Sequence, residues 1–512
     1  MKKTISLILS ALLLLSVLTG CGNAANTTTS TETTVSAAEE TASTEAEAVT
    51  EEAGEAPSGD MPGEPPESGE GPGGTPPGDP PDGNGGPGGT PPDGMPGNPP
   101  GGGFGGGSGS ADIVYTAAAE ITQSDTQESQ TYASDTADES ALIVNGEADV
   151  TIADPTVTKT GDSDGGDNCN FYGLNAAVLA MGGATLTISG GSVTSDADGA
   201  NGVFCYGGNG GRNGAAGDGT TVYVSDTVIT TTGNGSGGIM TTGGGVTYAS
   251  NLTVETSGRS SAAIRTDRGG GTVYVDGGSY TTNGLGSPAI YSTADIAVSH
   301  ATLTSNLSEG VCIEGKNSIT LTDCDLIANN TQRNGNATFL DTIMIYQSMS
   351  GDADSGTSSF NMTGGSLTSL NGHMFHVTNT HAVINLSGVE LINGDAENIL
   401  LSVCDDGWSG AANIAELNAD AQALSGAILV DSNSTLVLNL INGSAFEGNI
   451  SGEIVNSKGE TVSTEVGSVA VTLDETSTWT LTADTWIDDF SGDPANVIAN
   501  GFTLYVNGEA LN

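Results

Sequence analysis

The side chains best equipped for chemistry fall in one part of this sequence. Arg265, Asp267 and Arg268 stand together in "AIRTDRG", Tyr291 follows in "PAIYST", Glu314 in "VCIEGK" and Tyr346 in "IMIYQS". Guanidinium groups, carboxylates and phenols are the materials of a sugar-binding surface. An aromatic face takes the apolar side of a pyranose ring, and flanking charged groups hydrogen-bond its hydroxyls. The competing reading is a ladder of surface ion pairs, Arg268 with Asp267 and Arg265 with Glu314 or a loop acid, which stabilises a sheet modestly. Glycosidase chemistry asks for two carboxylates about 5–10 Å apart. Glu314 has Asp267, Asp352 and Asp354 as candidate partners for that.

Other residue types give weaker signals. The loop "GDSDGGDNCN" offers Asp162, Asp164 and Asp167, and "SDADGANG" offers Asp196 and Asp198. Closely spaced carboxylates among glycines are oxygen-rich loops of the kind Ca²⁺ uses, so Ca²⁺ is a candidate ligand here. Neither loop carries the full EF-hand pattern, and solvated turns are the leading reading of both. His373 and His376 in "GHMFHV" are three apart on an expected strand, which puts them on opposite sides and makes them a poor metal pair. Beyond Cys21, the cysteines Cys169, Cys205, Cys312, Cys324 and Cys404 form no disulfide framework and no Cys-x-x-Cys metal motif. They read as small buried residues, with Cys169 and Cys205 the one pair that an oxidising compartment could bridge.

What positions these residues is a repeat. The phrase "ATLTISGGSVTS" (184–195) alternates apolar residues with hydroxyls around a glycine pair, and related phrases start at Asp149, Thr185, Thr221, Val246, Thr272, Asp295, Ser318, Ser359 and Val383. The shortest interval is about 23 residues, and longer intervals read as that unit plus loop insertions. Weaker copies lie near Val437 and Val471. Each unit carries a second short β-type segment, such as "NGVFCY" or "SAAIRT". A unit this short cannot enclose a core of its own. Stacked as coils of a right-handed parallel β-helix, successive units bury one another's apolar residues, with Leu186 and Ile188 packing on Val222 and Val224. The expectation is therefore an all-β solenoid of about eleven or twelve coils, roughly 50–60 Å long. In the second strand, the outward column is expected to read Leu179, Phe204, Met240, Arg265, Tyr291, Glu314, Tyr346, His376, placing the charged and aromatic residues on one face.

Composition sets the surroundings. The chain has 10 Lys+Arg against 62 Asp+Glu, a net charge of −52, and this repels nucleic acid, anionic lipid and polyanionic glycans. A basic start, a short apolar run and "LTGC" resemble a bacterial lipoprotein signal, so residues 1–20 are expected to be removed and Cys21 lipidated. The lipid would be the only membrane anchor, on the extracellular face. Residues 21–56 are rich in Thr, Ser, Ala and Glu and read as a disordered acidic tether. Residues 57–109 are a Pro/Gly spacer suited to crossing a cell wall. The remainder divides into an N-terminal cap (110–148), the β-helix (149–476) and a C-terminal cap (477–512) that protects the strand edges.

The segments "FYGLNAAVLA" (171–180), "GANGVF" (199–204), "TDRGGGTV" (266–273) and "YQSMSGDADSG" (346–356) resemble a group of secreted bacterial β-helix proteins described as adhesin-like or as having the pectin-lyase fold. That resemblance spans roughly residues 140–512. It implies a right-handed β-helix in a cell-surface setting and brings no catalytic residues with it. The Gly-His-Gly and Arg-Ile-Lys segments of polygalacturonase-type relatives do not occur, and a lyase's basic cleft is hard to reconcile with the charge. The expected role is adhesion or binding to a glycan or another surface molecule. The alternatives are a carbohydrate-active enzyme, either polysaccharide lyase or glycoside hydrolase, and a passive structural component of the envelope.

Overall fold

The structure is a computed structural model, and it describes residues 113–210 and 216–511. Cys21, the signal (1–20), the tether (21–56) and the spacer (57–109) lie outside the described residues. From Thr116 onward the chain is a parallel β-helix. Thirteen short strands, from Thr116–Ile121 to Ile450–Ser451, pair in chain order into one sheet, each strand hydrogen-bonded to the equivalent strand of the next coil. That is about 60 Å of rod at the usual strand spacing.

A coil has up to three strands, seen in Thr185–Ser189, Ser192–Ser195 and Val203–Tyr206, and in two coils the first two run together as Gly245–Thr256 and Gly271–Thr282. The first two lie in a second sheet of 22 strands, and the third lies in the sheet of thirteen. The expected starts stack residue on residue. Asp149 pairs with Thr185, Thr185 with Thr221, Thr221 with Val246, and so on through Ser359 with Val383. Leu186 and Ile188 stand in register with Val222 and Val224, and all four are buried in one continuous core. Two details of the repeat differ from expectation. A further coil pairs at Glu416 between Val383 and Val437, and the last copy falls in register at Ala470, one residue before Val471. The described part of 110–148 also forms a coil, since its strands Thr116–Ile121, Asp125–Glu128 and Thr131–Ser134 pair in parallel with the coil that follows.

The glycine pair marks a corner. Gly190 and Gly191 both have φ of 70°, and a Cβ on Gly191 would lie 2.2 Å from the carbonyl oxygen of Pro155 in the coil below. The equivalent corner residue in other coils is Asp154, Asp226, Asn251, His300 or Asp323, each with φ near 50°. These are types that tolerate the left-handed region better than most side chains. Toward the end, strands Ala423–Ser425, Ala445–Gly448, Thr478–Leu481 and Val497–Ile498 form a four-stranded sheet. Trp479 is fully buried there, stacked on Phe446. An antiparallel pairing of Leu504–Val506 with Glu509–Ala510 closes the chain.

Candidate functional site

The expected Arg265–Tyr346 face exists as a cluster, but it is covered. Arg265, Asp267, Arg268 and Glu314 are buried and Tyr291 and Tyr346 are half-buried. The column itself also reads differently. Met240 pairs with Arg265 and Arg265 with Tyr291, but Tyr291 then pairs with Cys312 and Cys312 with Met344. Glu314 and Tyr346 are two residues further on, in the adjacent column on the same side. Side-chain reach reunites them. The Tyr291 hydroxyl donates to Glu314 Oε2 at 2.6 Å and the Tyr346 hydroxyl to the same oxygen at 3.2 Å.

The roof comes from insertions. Helix Asp167–Tyr172 brings Asn170 Oδ1 to 3.4 Å from Arg265 Nη1 and places the Phe171 ring 4.3 Å from the Arg268 guanidinium. The 347–356 loop supplies Ser348 and Ser350, which donate to Glu314 Oε1, and Asp352, which accepts from Arg268 Nε at 3.0 Å. Trp408 packs on Tyr346 with ring centroids 5.0 Å apart. The ion pairs are Arg265 with Asp267 at 2.6 Å and Arg268 with Asp352, in place of the ladder pairing expected. Burial pushes the Asp267 carboxyl up to about 6 despite Arg265, and raises Glu314 and both tyrosines as well. These residues form a closed polar seam that fastens loops to the rod.

The acidic loops are also occupied with structure. Asp162 Oδ1 accepts the Asp198 backbone N–H at 2.9 Å, Asp198 Oδ1 accepts that of Asn234 at 2.7 Å, and Asp196 accepts from the Thr232 hydroxyl. Asp167 opens the short helix and Asp164 is exposed. Among the described residues no three His, Cys, Asp or Glu side chains are grouped to hold a metal ion. Cys169 and Cys205 are both free and buried, as are Cys312, Cys324 and Cys404.

The histidines do meet. Met374 and Phe375 both enter the core, so the alternation breaks between them and His373 comes to the side of His376. Each Nδ1 lies 2.7 Å from Ser402 Oγ, and His376 Nε2 is 3.4 Å from Asp406 Oδ2. The Ser402 hydroxyl can donate to only one of the two rings, so the other must donate to it. His373, His376, Ser402 and Asp406 are all sealed from solvent, and burial, then His376, pushes His373 down to about 3. This is an internal network without access for a substrate.

The open feature is on the other sheet. Tyr223, Tyr248 and Tyr274 occupy one outward column of the first strands, in register coil on coil. Their rings stack at 5.0 and 5.1 Å with interplanar angles of 8° and 14°. Their exposures are 43%, 41% and 45%, unusual for three large aromatics in a row. The next positions in the column are Ala297 and Thr320, so the stack ends abruptly and the far face of the Tyr274 ring has no aromatic neighbour. A groove of about 620 Å³ runs beside the stack, lined by the tyrosines, Ala297, Thr320 and a parallel row of Ser225, Ser250, Asp276, Ser299 and Thr322. The Asp276 carboxylate is held there by Ser299 Oγ at 2.9 Å and His300 Nδ1 at 2.7 Å. The position two residues beyond Thr221, Val246 and Thr272 in the repeat is this tyrosine column, so its signal lies in the first strand of the unit, whereas the Arg265 cluster lies in the third. Beyond Thr320 the same column becomes Asn361, Asn385, Asn418 and Asn439, whose amides hydrogen-bond in sequence at 2.7, 3.0 and 2.8 Å.

Comparison with family models, with curated proteins and with solved structures returns no match. The fold is thus established by strand pairing.

Proposed function

We propose that this protein is a non-catalytic binding rod of the bacterial cell surface, anchored through a lipid on Cys21, that holds a neutral glycan in the tyrosine groove. This reading keeps the expected kinship with adhesin-like β-helix proteins and moves the binding face from the Arg265 cluster to Tyr223–Tyr274. The observation that carries it is the uncovered face of Tyr274 above the small Ala297. A pyranose ring fits there as the next member of the stack, with its apolar face on the phenol ring. Asp276, Ser299 and Thr320 then stand where ring hydroxyls need partners. Aromatic walls with a few polar groups are the usual composition of a specific small-molecule groove. The chain's charge of −52 favours an uncharged ligand along this open face. Asp276 is the single carboxylate lining the groove, whereas glycosidase chemistry uses a pair, which supports binding over hydrolysis.

The test is Ala297→Tyr. This substitution extends the ladder by one ring, so the protein stays folded with an equal or higher melting temperature while the sugar position is filled. On a glycan array, signal from the wild-type protein should fall at least tenfold in Ala297→Tyr and in Tyr274→Ala. Undiminished binding by both variants would remove the groove from consideration.

A further inference from the structure

A second site emerges from an inventory of the scarce cations. Lys2, Lys3 and Arg212 lie outside the described residues. Among the others, Lys159 is buried with its ammonium on the carbonyl oxygens of Thr136 and Gly161. Arg265 and Arg268 are paired inside the seam, and Lys316 pairs with Asp354 at 2.9 Å. Arg259, Arg333 and Lys458 make no ion pair among the described residues, and all three belong to one place.

That place is built by two insertions far apart in sequence. The loop 330–340 carries Arg333, and the hairpin of Glu453–Val455 with Thr461–Thr464 carries Lys458 at its turn. The hairpin is fastened to the loop at Thr338, whose carbonyl accepts both the Ser457 N–H at 3.0 Å and the Ser457 hydroxyl at 2.6 Å. Beneath, Phe339 and Ile454 share a buried apolar cluster. Arg259, from an earlier coil, donates to Asn334 Oδ1 at 3.1 Å and braces the same loop. Between loop and hairpin is a pocket of about 580 Å³, lined among others by Thr331, Gln332, Arg333, Leu340, Ser457 and Lys458, with no carboxylate in its lining. The nearby Glu460 is engaged with Asn456 Nδ2 at 2.9 Å.

We infer that this pocket binds a single monoanionic oxyanion group, the carboxylate or sulfate ester of an acidic sugar. Arg333 offers a planar fork suited to such a group, Lys458 a point charge, and Thr331, Gln332 and Ser457 neutral donors for adjoining hydroxyls. The strongly negative chain sets the size of the ligand's charge. Its field is screened beyond about 8 Å at physiological ionic strength, so one anionic group resting on two cations is accommodated. A polyanion extending past the pocket leaves the two cations behind and is repelled by the net negative charge of the chain. The occupant therefore carries one charge on an otherwise neutral, hydroxylated body. This assignment is independent of the tyrosine groove.

The experiment uses the Ala297→Tyr protein, in which the groove is filled, beside the wild type, with binding read by calorimetry. The probes are glucuronate, a monosulfated glucose, and glucose as the neutral control. Either acidic probe should bind both proteins, weaken as salt is raised, and lose at least tenfold in affinity in Arg333→Ala and Lys458→Ala. The melting temperature of these variants should not change, because both side chains are exposed. Which acidic probe binds tells carboxylate from sulfate. Equal binding of glucose, absence of binding by both acidic probes, or unchanged affinity in both variants overturns the assignment.

Discussion

Arg268 shows how differently two ion pairs of one loop can matter. Its guanidinium is buried, with Asp352 on one side and the Phe171 ring on another. Removing Asp352 takes away the carboxylate paired with a buried guanidinium, so Asp352→Ala should destabilise by about 3–5 kcal/mol. Two residues away, Asp354 pairs with Lys316 at the surface, where both side chains are more than two-fifths exposed, and Asp354→Ala should change stability by about 1 kcal/mol or less. Urea unfolding of the two variants measures the contrast, and equal effects would mean that the seam does not fasten the loop. The residues of this seam were legible in the sequence as unusual types, but their environment was not. Arginine, tyrosine and glutamate on an outward column read as a binding face, because nothing in the repeat announces that Asn170, Ser348, Asp352 and Trp408 arrive from insertions to cover it.

At the scale of the coil, the corner is the controlling element. Gly191 combines a positive φ with a backbone carbonyl where a Cβ would sit, so Gly191→Ala should lower the melting temperature by several degrees. Asp226→Gly, at a corner that already holds φ of 52°, should be nearly neutral by comparison. Thermal unfolding of this pair separates the steric demand of the corner from loss of a side chain. The first strand of each coil was readable because five alternating residues and a corner signal fix its register, as Thr185–Ser189 shows. The third strand offered less. Ile290–Ser292 is three residues long and carries no corner marker. A slip of two residues between Tyr291 and Glu314 leaves no mark in the pattern, since side chains two apart face the same way. The coil at Glu416 lacks the corner signal as well, because Ala421 and Gln422 follow "NIAELNAD" where the opening phrase has its glycine pair.

Across the whole molecule, charge and burial act together on stability. The net charge of −52 opposes compaction at neutral pH, and several carboxyls are buried where ionisation is disfavoured. Asp267 rises from 3.8 to about 6, and burial also raises Glu314 and Asp341. A raised folded-state pKa means that the folded protein holds protons the unfolded chain has released. That contribution is complete below 3.8 and is lost as pH climbs through about 6 for Asp267. His373, which burial holds down to about 3, loses stability over part of the same range, but it is one group against Asp267, Glu314 and Asp341, so stability should increase from about pH 8 to about pH 5 at fixed ionic strength. Asp474 and Asp406, whose folded values are depressed, act oppositely and should reverse the gain in stronger acid. Melting temperatures across that range test the sign, and a flat or falling profile toward pH 5 would contradict it. The outward column that runs from Tyr223 through Ala297 to Asn439 adds a consequence of another kind. Its backbone is the same throughout while its lettering changes from ring to methyl to amide. Duplicating one unit would lengthen the aromatic strip by a single ring without disturbing either neighbour. Reach along a ligand can thus be gained or lost in whole sugar-sized increments, by unequal recombination between copies of a short phrase.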